Sequence, residues 1–211
     1  MGWFEVVGED AIRNGECTDV YFKRVVEVME RDGVNPQVTM EVTAASLPDP
    51  RAVFCGLDDV IKLLEGLPVD VDAMPEGTIF CPNEPVLRIS GRYRDFAVYE
   101  TAILGFLCHA SGVATAAAHM KAAAAGRPVY SFGSRRQHPA IAAMIERAAW
   151  IGGGGGGGNT PAPGPALIQH LRRRRKKRGG LSGGRPPFKK KREELRGESE
   201  RESEEESGVC K

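Results

Sequence analysis

The sequence predicts an α/β fold over its first 150 residues, followed by a C-terminal tail without a packed core. In the first part, apolar residues recur with helical and strand periods between turn residues. Toward its end a long helix, a short apolar strand and another helix follow one another, which is how an α/β unit begins. After Ile151, six glycines at 153–158 and a basic run replace this pattern. We therefore expect a disordered tail at 154–211.

The early elements follow from local patterns. Asp19 is a good N-cap type before an amphipathic stretch, which predicts a helix over 19–32. Residues 37–43 alternate between apolar and polar side chains, as a half-buried strand does, and 57–64 read as a short amphipathic helix. Three short strands of a small antiparallel sheet are predicted at 69–73, 77–80 and 85–89.

The later elements predict the α/β unit. Residues 99–125 form the longest helical candidate, apolar on almost every side and rich in small residues, so we expect a buried helix. A short buried strand is expected at 129–133, and another helix at 140–149. Ile151 is expected to begin a further strand.

Charge is divided unevenly along the chain. Residues 1–150 carry 14 Lys/Arg and 20 Asp/Glu, whereas residues 151–211 carry 15 and 8. Most of the basic residues of the tail lie at 172–192, a stretch that could bind nucleic acid. It has no interleaved aromatic residues, and the glutamates that follow partly neutralise it. A nucleic-acid-associated protein acting through 172–192 is therefore one alternative function.

Cysteine usage and hydropathy predict a cytoplasmic protein. The five cysteines are widely spaced, with no C-x-x-C pair and no Cys/His cluster, which favours free thiols and no metal site. The apolar stretch at 101–118 is interrupted by polar residues, so we expect no membrane span. The N-terminus has no charged-then-apolar signal pattern.

A candidate site lies at 131–139, where the predicted strand runs into a helix. Ligands of parallel α/β folds bind at such strand ends. Gly133 would let a substrate approach the backbone, and Phe132 offers a ring face to a flat heterocycle. Arg135 and Arg136 offer planar cationic groups for carboxylates and phosphates. The alternative is a solvated basic loop.

Four further positions have weaker signals. Asp19 either binds or only caps its helix, and Tyr21 either binds or only fills a core. His138 has no identifiable catalytic partner, so a structural or exposed role is favoured. The glycines at 153–158 lack the Lys and Ser/Thr of a phosphate-binding loop and are interpreted as linker.

Seven strings in order resemble the shorter form of the nicotinate phosphoribosyltransferase family over residues 10–153. They are TDVYF at 18–22, GL at 56–57 with LLEGL at 63–67, PEGTI at 75–79, YETAILGF at 99–106, SGVAT at 111–115, SFGSRRQHP at 131–139 and IERAAWIGG at 145–153.

The resemblance implies an N-terminal α/β domain at 1–100 and, at 101–153, the start of an incomplete (β/α) barrel whose first strand is 129–133. Family members join nicotinate to phosphoribosyl pyrophosphate, forming nicotinate mononucleotide and pyrophosphate in NAD salvage. They use ATP and Mg²⁺ and form homodimers. The Asp19–Tyr21 motif would place Tyr21 on the pyridine ring, often from the partner subunit. Phe132 would supply the other face, and Arg135, beside Arg136, an anion contact.

The resemblance also implies what is missing. After Gly153 the family continues with further strands, one carrying a histidine that ATP phosphorylates, and these are not recognisable here. We therefore expect a truncated or frame-shifted chain, weakly active or inactive, with no catalytic residue assigned. A third hypothesis is a non-catalytic partner of an intact homologue, docking through the helix that bears Tyr21.

Overall fold

The computed structural model describes residues 5–155. From residue 156 on, the predicted tail and the basic stretch at 172–192 lie outside the described residues. The helices are α1 Glu9–Arg13, α2 Val20–Arg31, α3 Leu57–Leu64, α4 Tyr93–Phe96, α5 Glu100–Ala123 and α6 Ala142–Ile151. The strands are β1 Gln37–Val42, β2 Ala52–Val53, β3 Val69–Ala73, β4 Ile79–Phe80 and β5 Leu87–Arg92.

A three-stranded antiparallel sheet in the order β1-β5-β3 forms the base of the fold. Val42 and Ala73 both pair with Leu87, so β5 is the central strand. The strand period alternates exposed with buried positions along β5, and Leu87 and Ile89 face the core. Strands β2 and β4 form a separate antiparallel pair.

Strand β5 differs from its prediction in a way that one glycine explains. The sequence analysis predicted a strand at 85–89, but β5 begins at Leu87 and continues through Gly91 to Arg92. A Cβ at Gly91 would lie 2.7 Å from a methyl group of Val69, so this glycine lets β3 approach closely. Gly91 therefore lies within the strand and allows β5 to pack closely against β3.

The core has two parts. The larger packs the sheet against α3 and α5, with Phe54, Val60 and Leu87 almost fully buried. The smaller lies where α5 meets α6 and consists mainly of small residues, among them Ala110 and Ala114. A Cβ at Gly152 would overlap the carbonyl oxygen of Ala114, so the end of α6 lies against the backbone of α5.

Helix α5 contacts β2, α3 and α6. Together with α4 and the turn between them it spans Tyr93–Ala123, which is long and apolar enough to cross a membrane by length and composition alone. Six residues of α5 are buried in the core, which is how a core helix is packed. The prediction of a buried helix is confirmed only on this side, because Leu104 and Met120 are exposed.

The predicted α/β unit is present but begins differently. Tyr130 pairs in parallel with Gly155, and α6 connects these two points, so one βα unit returns the chain to the neighbouring strand position. The prediction of a buried strand at 129–133 is wrong: only the Tyr130 bridge forms, and Tyr130 and Phe132 are exposed. The prediction of a strand from Ile151 is wrong because α6 extends through that residue.

The linker interpretation is wrong for the glycines at 153–155. A Cβ at Gly154 would lie 2.8 Å from the carbonyl oxygen of Ala149, and one at Gly155 would lie 3.0 Å from that of Val129. Gly153 has a positive φ of 94°. Gly154 and Gly155 are therefore packed into the fold, whereas Gly153 is exposed in the turn that follows α6.

The predicted free thiols are found at Cys17, Cys55 and Cys108. The prediction fails at Cys81, which is disulfide-bonded.

Candidate functional site

The loop after Tyr130 presents Phe132, Arg135 and Arg136 to solvent. It is built from two 3₁₀ turns, Gly133–Arg136 and Pro139–Ile141. Phe132 is 61% exposed. The guanidinium groups of Arg135 and Arg136 form no ion pair with a described residue. An exposed apolar ring and two cations without an ion-pair partner among the described residues thus lie on one loop, directly after the isolated bridge at Tyr130. Such a set of groups is suited to a flat anionic ligand.

His138 is a structural residue of this loop. Its Nδ1 accepts a hydrogen bond of 3.2 Å from the backbone amide of Ala140 and so caps the second 3₁₀ turn. The structural role favoured by the sequence is confirmed.

Gly133 serves helix packing. A Cβ at this position would lie 2.7 Å from a methyl group of Ile145, so α6 can contact the loop only because the side chain is absent. The prediction that Gly133 opens the backbone to a substrate stays a prediction beside this steric reason.

Glu146 of α6 lies beneath the same loop. It is 6% exposed, and its Oε1 accepts a hydrogen bond of 3.2 Å from the amide of Ser134. Its Oε2 is buried and has no hydrogen-bond partner among the described residues. The loop is therefore anchored to α6 by a carboxylate with one unused oxygen.

Arg147, the next residue of α6, joins three parts of the fold. Its guanidinium donates to both carboxylate oxygens of Glu76 and, at 2.8 Å, to Asp58. Glu76 also accepts from the amides of Gly56 and Leu57 at 2.8 and 3.1 Å. One carboxylate thus caps the start of α3 while it holds α6 through Arg147.

Burial and charge perturb this cluster. Burial and, to a smaller extent, the nearby Glu76 carboxylate together raise the pKa of the Cys55 thiol to about 12. Burial would also raise the pKa of Glu76, but the hydrogen bonds and charge of Arg147 outweigh it and hold that pKa below its usual range. The pair with Glu76 likewise raises the pKa of Arg147 in spite of its burial.

The second predicted pair lies at the start of α2. Asp19 is the N-cap residue by position, but its side chain caps no amide of the helix. Its Oδ2 instead accepts a hydrogen bond of 3.0 Å from the hydroxyl of Thr101. Tyr21 is 53% exposed, and its ring centroid lies 4.2 Å from that of Phe22 with the planes tilted by 40°. Tyr21 therefore does not fill the core.

The five predicted site residues form two groups that contact different elements. Asp19 and Tyr21 lie on the α2 side, whereas Phe132, Arg135 and Arg136 lie on the loop that α6 supports. Their roles in substrate binding stay predictions. Within residues 5–155, no group of three or more His, Cys, Asp or Glu side chains could hold a metal ion.

Sequence reasoning missed four polar residues: Thr101, Glu76, Glu146 and Arg147. A signal was present for the last two, because a charged pair stands between apolar neighbours in a helix predicted to pack on both sides.

Two family models match the chain in sequence order. The N-terminal domain of quinolinate phosphoribosyl transferase matches residues 19–111, and its C-terminal domain matches residues 113–170. The chain belongs to this phosphoribosyltransferase family.

Curated relatives are named as nicotinate phosphoribosyltransferases. The chain is 33% identical to pncB1 of Mycobacterium tuberculosis, over 66% of this chain and 38% of the relative. It is 30% identical to the Bacillus subtilis protein, over 64% of this chain and 34% of that one. The chain thus spans less than two fifths of the length of the curated relatives that it matches.

Solved structures give the same fold. A nicotinate-nucleotide pyrophosphorylase from Pyrococcus furiosus is 48% identical, with a TM-score of 0.73, over 89% of this chain and 46% of that chain. Human nicotinic acid phosphoribosyltransferase has a TM-score of 0.65 at 22% identity, over 70% and 37% of the two chains, and shows the fold alone.

Proposed function

We propose that this chain carries the pyridine-binding part of a nicotinate phosphoribosyltransferase of NAD salvage. The reaction transfers a phosphoribosyl group from phosphoribosyl pyrophosphate to the ring nitrogen of nicotinate and releases pyrophosphate. The observation that carries the proposal is the exposed set of Phe132, Arg135 and Arg136 on the loop that follows the Tyr130 bridge. The names of the curated relatives favour nicotinate as the substrate.

In the proposed complex, the Phe132 ring covers one face of the pyridine and the Arg135 guanidinium pairs with its carboxylate. Such a two-point grip orients the ring nitrogen toward the ribosyl carbon that loses pyrophosphate, and positioning is most of what this displacement requires. Arg136 adds positive charge at the same edge. ATP and Mg²⁺ are proposed from the resemblance alone, since residues 5–155 contain no cluster of three His, Cys, Asp or Glu side chains that could hold the metal.

We further propose that the 211-residue chain alone turns nicotinate over weakly or not at all, since it spans less than half of each relative described above. The nucleic-acid alternative depends on 172–192, which lie outside the described residues, and none of these relatives is named for nucleic acid.

Helix α2 is proposed as a protein interface, through which the chain forms a homodimer or docks on an intact homologue. Tyr21, Val25 and Val28 follow one another at helical spacing and are 53%, 39% and 46% exposed. An unpartnered apolar stripe of this kind favours a protein interface.

The test is equilibrium binding of nicotinate to the purified chain by calorimetry. We expect Arg135→Ala to weaken nicotinate binding by about tenfold or more. Arg135→Lys should weaken it less, because lysine keeps the charge but cannot donate the two parallel hydrogen bonds of a guanidinium. Arg127→Ala, which removes an exposed arginine outside the loop, is the matched control. Equal affinity in all four proteins would overturn the assignment of this loop.

A further inference from the structure

Glu146 makes the electrostatics of the loop asymmetric. Its carboxylate is buried directly beneath Ser134, between Gly133 and Arg135, and one of its oxygens has no hydrogen-bond partner among the described residues. Buried hydrogen-bond acceptors without a partner are uncommon in folded proteins. The unpartnered Oε2 of Glu146 therefore suggests a functional role.

The negative charge of Glu146 is not neutralised by its neighbour. Arg147 directs its guanidinium to Glu76 and Asp58, on the side of α3. Glu146 itself forms no ion pair with a described residue. The loop therefore carries two exposed positive charges, on Arg135 and Arg136, and is hydrogen-bonded to one buried negative charge, that of Glu146.

A ligand bound on this loop interacts with both the positive charges of the arginines and the negative charge of Glu146. The exposed guanidiniums are screened by solvent and salt, whereas a buried carboxylate is screened much less. One ligand carboxylate can pair with the arginines, and their attraction outweighs its repulsion by Glu146. A second carboxylate on the adjacent ring carbon adds another negative charge within the field of Glu146.

We infer that Glu146 is a specificity-determining residue, which favours a pyridine with one carboxylate (nicotinate) over one with two adjacent carboxylates (quinolinate). The inference rests on the proposed function, because it assumes that the pyridine ring lies on this loop. It concerns binding only and involves no covalent step.

The experiment measures the affinities of the 211-residue chain for nicotinate, quinolinate and the uncharged nicotinamide. Glu146→Gln keeps an oxygen that can accept from Ser134 and removes the charge, and Glu146→Met replaces the buried carboxylate with an apolar side chain of similar length. Glu41→Gln removes a carboxylate from β1, which is paired with Arg88 in the sheet, and is the matched control.

We expect both Glu146 variants to raise the affinity for quinolinate relative to nicotinate by about tenfold, the order expected for one charge interaction in a partly screened site. Nicotinamide binding and the control should be unchanged. A merely structural role would alter all three affinities together and would leave the ratio unaltered.

Two results would overturn the inference, and they can be told apart. If wild-type chain binds nicotinate but the ratio stays constant in a folded Glu146 variant, the inference fails while the proposed function stands. If the wild-type chain binds no pyridine carboxylate, both fail. Circular dichroism identifies the folded variants, and either one is sufficient for the test.

Discussion

Asp19 and Thr101, 82 residues apart in the chain, share two hydrogen bonds through one hydroxyl group. Thr101 Oγ1 donates to the Asp19 carboxylate at 3.0 Å and accepts from the Asp19 amide at 3.1 Å. The start of α2, which carries Tyr21, is thereby tied to the first turn of α5.

Replacing Thr101 with valine keeps the shape of the side chain and removes both hydrogen bonds. We expect the free energy of unfolding to fall by about 1–2 kcal/mol. Urea denaturation followed by circular dichroism gives the value. Thr43→Val, at an exposed threonine beyond β1, is the control, and an equal loss there would show that the tie contributes nothing.

Replacing Gly152 with alanine should separate α6 from α5. The new methyl group would overlap the Ala114 carbonyl oxygen and lie 2.8 Å from the Ala117 methyl, so the cost should be roughly 2–3 kcal/mol. Gly105→Ala, inside α5 with open space around the new Cβ, should instead stabilise the protein by about 0.5–1 kcal/mol. Thermal melts of the two variants that moved in the same direction would contradict this account.

Acid should weaken the Glu76–Arg147 cluster. The folded state lowers the pKa of Glu76, so its contribution is present above the ordinary pKa of about 4.3 and is lost as pH falls through the lower folded value. We expect Glu76→Gln to be less stable than wild type at pH 7 and to lose less stability between about pH 5 and pH 3. Parallel unfolding curves over this range would exclude a role for the Glu76 charge.

Cysteine labelling should distinguish two thiols. Cys55 is 1% exposed and its pKa is raised to about 12, whereas Cys108 is exposed on α5. Because the thiolate is the reactive form, iodoacetamide at pH 8 should modify Cys108 in the native protein and Cys55 only after denaturation. Peptide mass spectrometry gives both yields, and rapid native labelling of Cys55 would contradict its burial.

The proposed dimer can be tested by charge. A Val25→Asp and Val28→Asp double variant places two carboxylates on the apolar stripe of α2 and should convert a dimer into a monomer in sedimentation experiments. Val34→Asp, at a residue 48% exposed and beyond the end of α2, should leave the dimer intact. A monomeric wild-type chain would remove the proposal.

Sequence periodicity predicted the elements whose neighbours are local. The bounds of α3 and β3 agree with the prediction, because each has a clear period and a turn residue on either side. Strand β2 was missed because it has only two residues and exists through its pairing with β4.

The site was predicted less completely than the fold. Phe132, Arg135 and Arg136 were predicted because residue type and position suggest binding. The structure leaves them exposed, and their role in binding stays a prediction. The residues that hold the loop, Glu146 and Arg147, act across elements far apart in sequence. Their partners at 134, 76 and 58 follow from tertiary packing and not from any local period.

The start of α3 depends on a carboxylate from elsewhere in the chain. Gly56, at its N-cap, has φ of 99°, and a Cβ there would lie 2.5 Å from the Phe106 carbonyl oxygen, so the position cannot carry its own capping side chain. Glu76 supplies the cap and also holds α6. Local fraying is consequently coupled: opening the first turn of α3, the loop around Glu76 or the middle of α6 exposes the same carboxylate. Amide hydrogens in these three segments should then exchange with one common opening free energy, as a single cooperative unit.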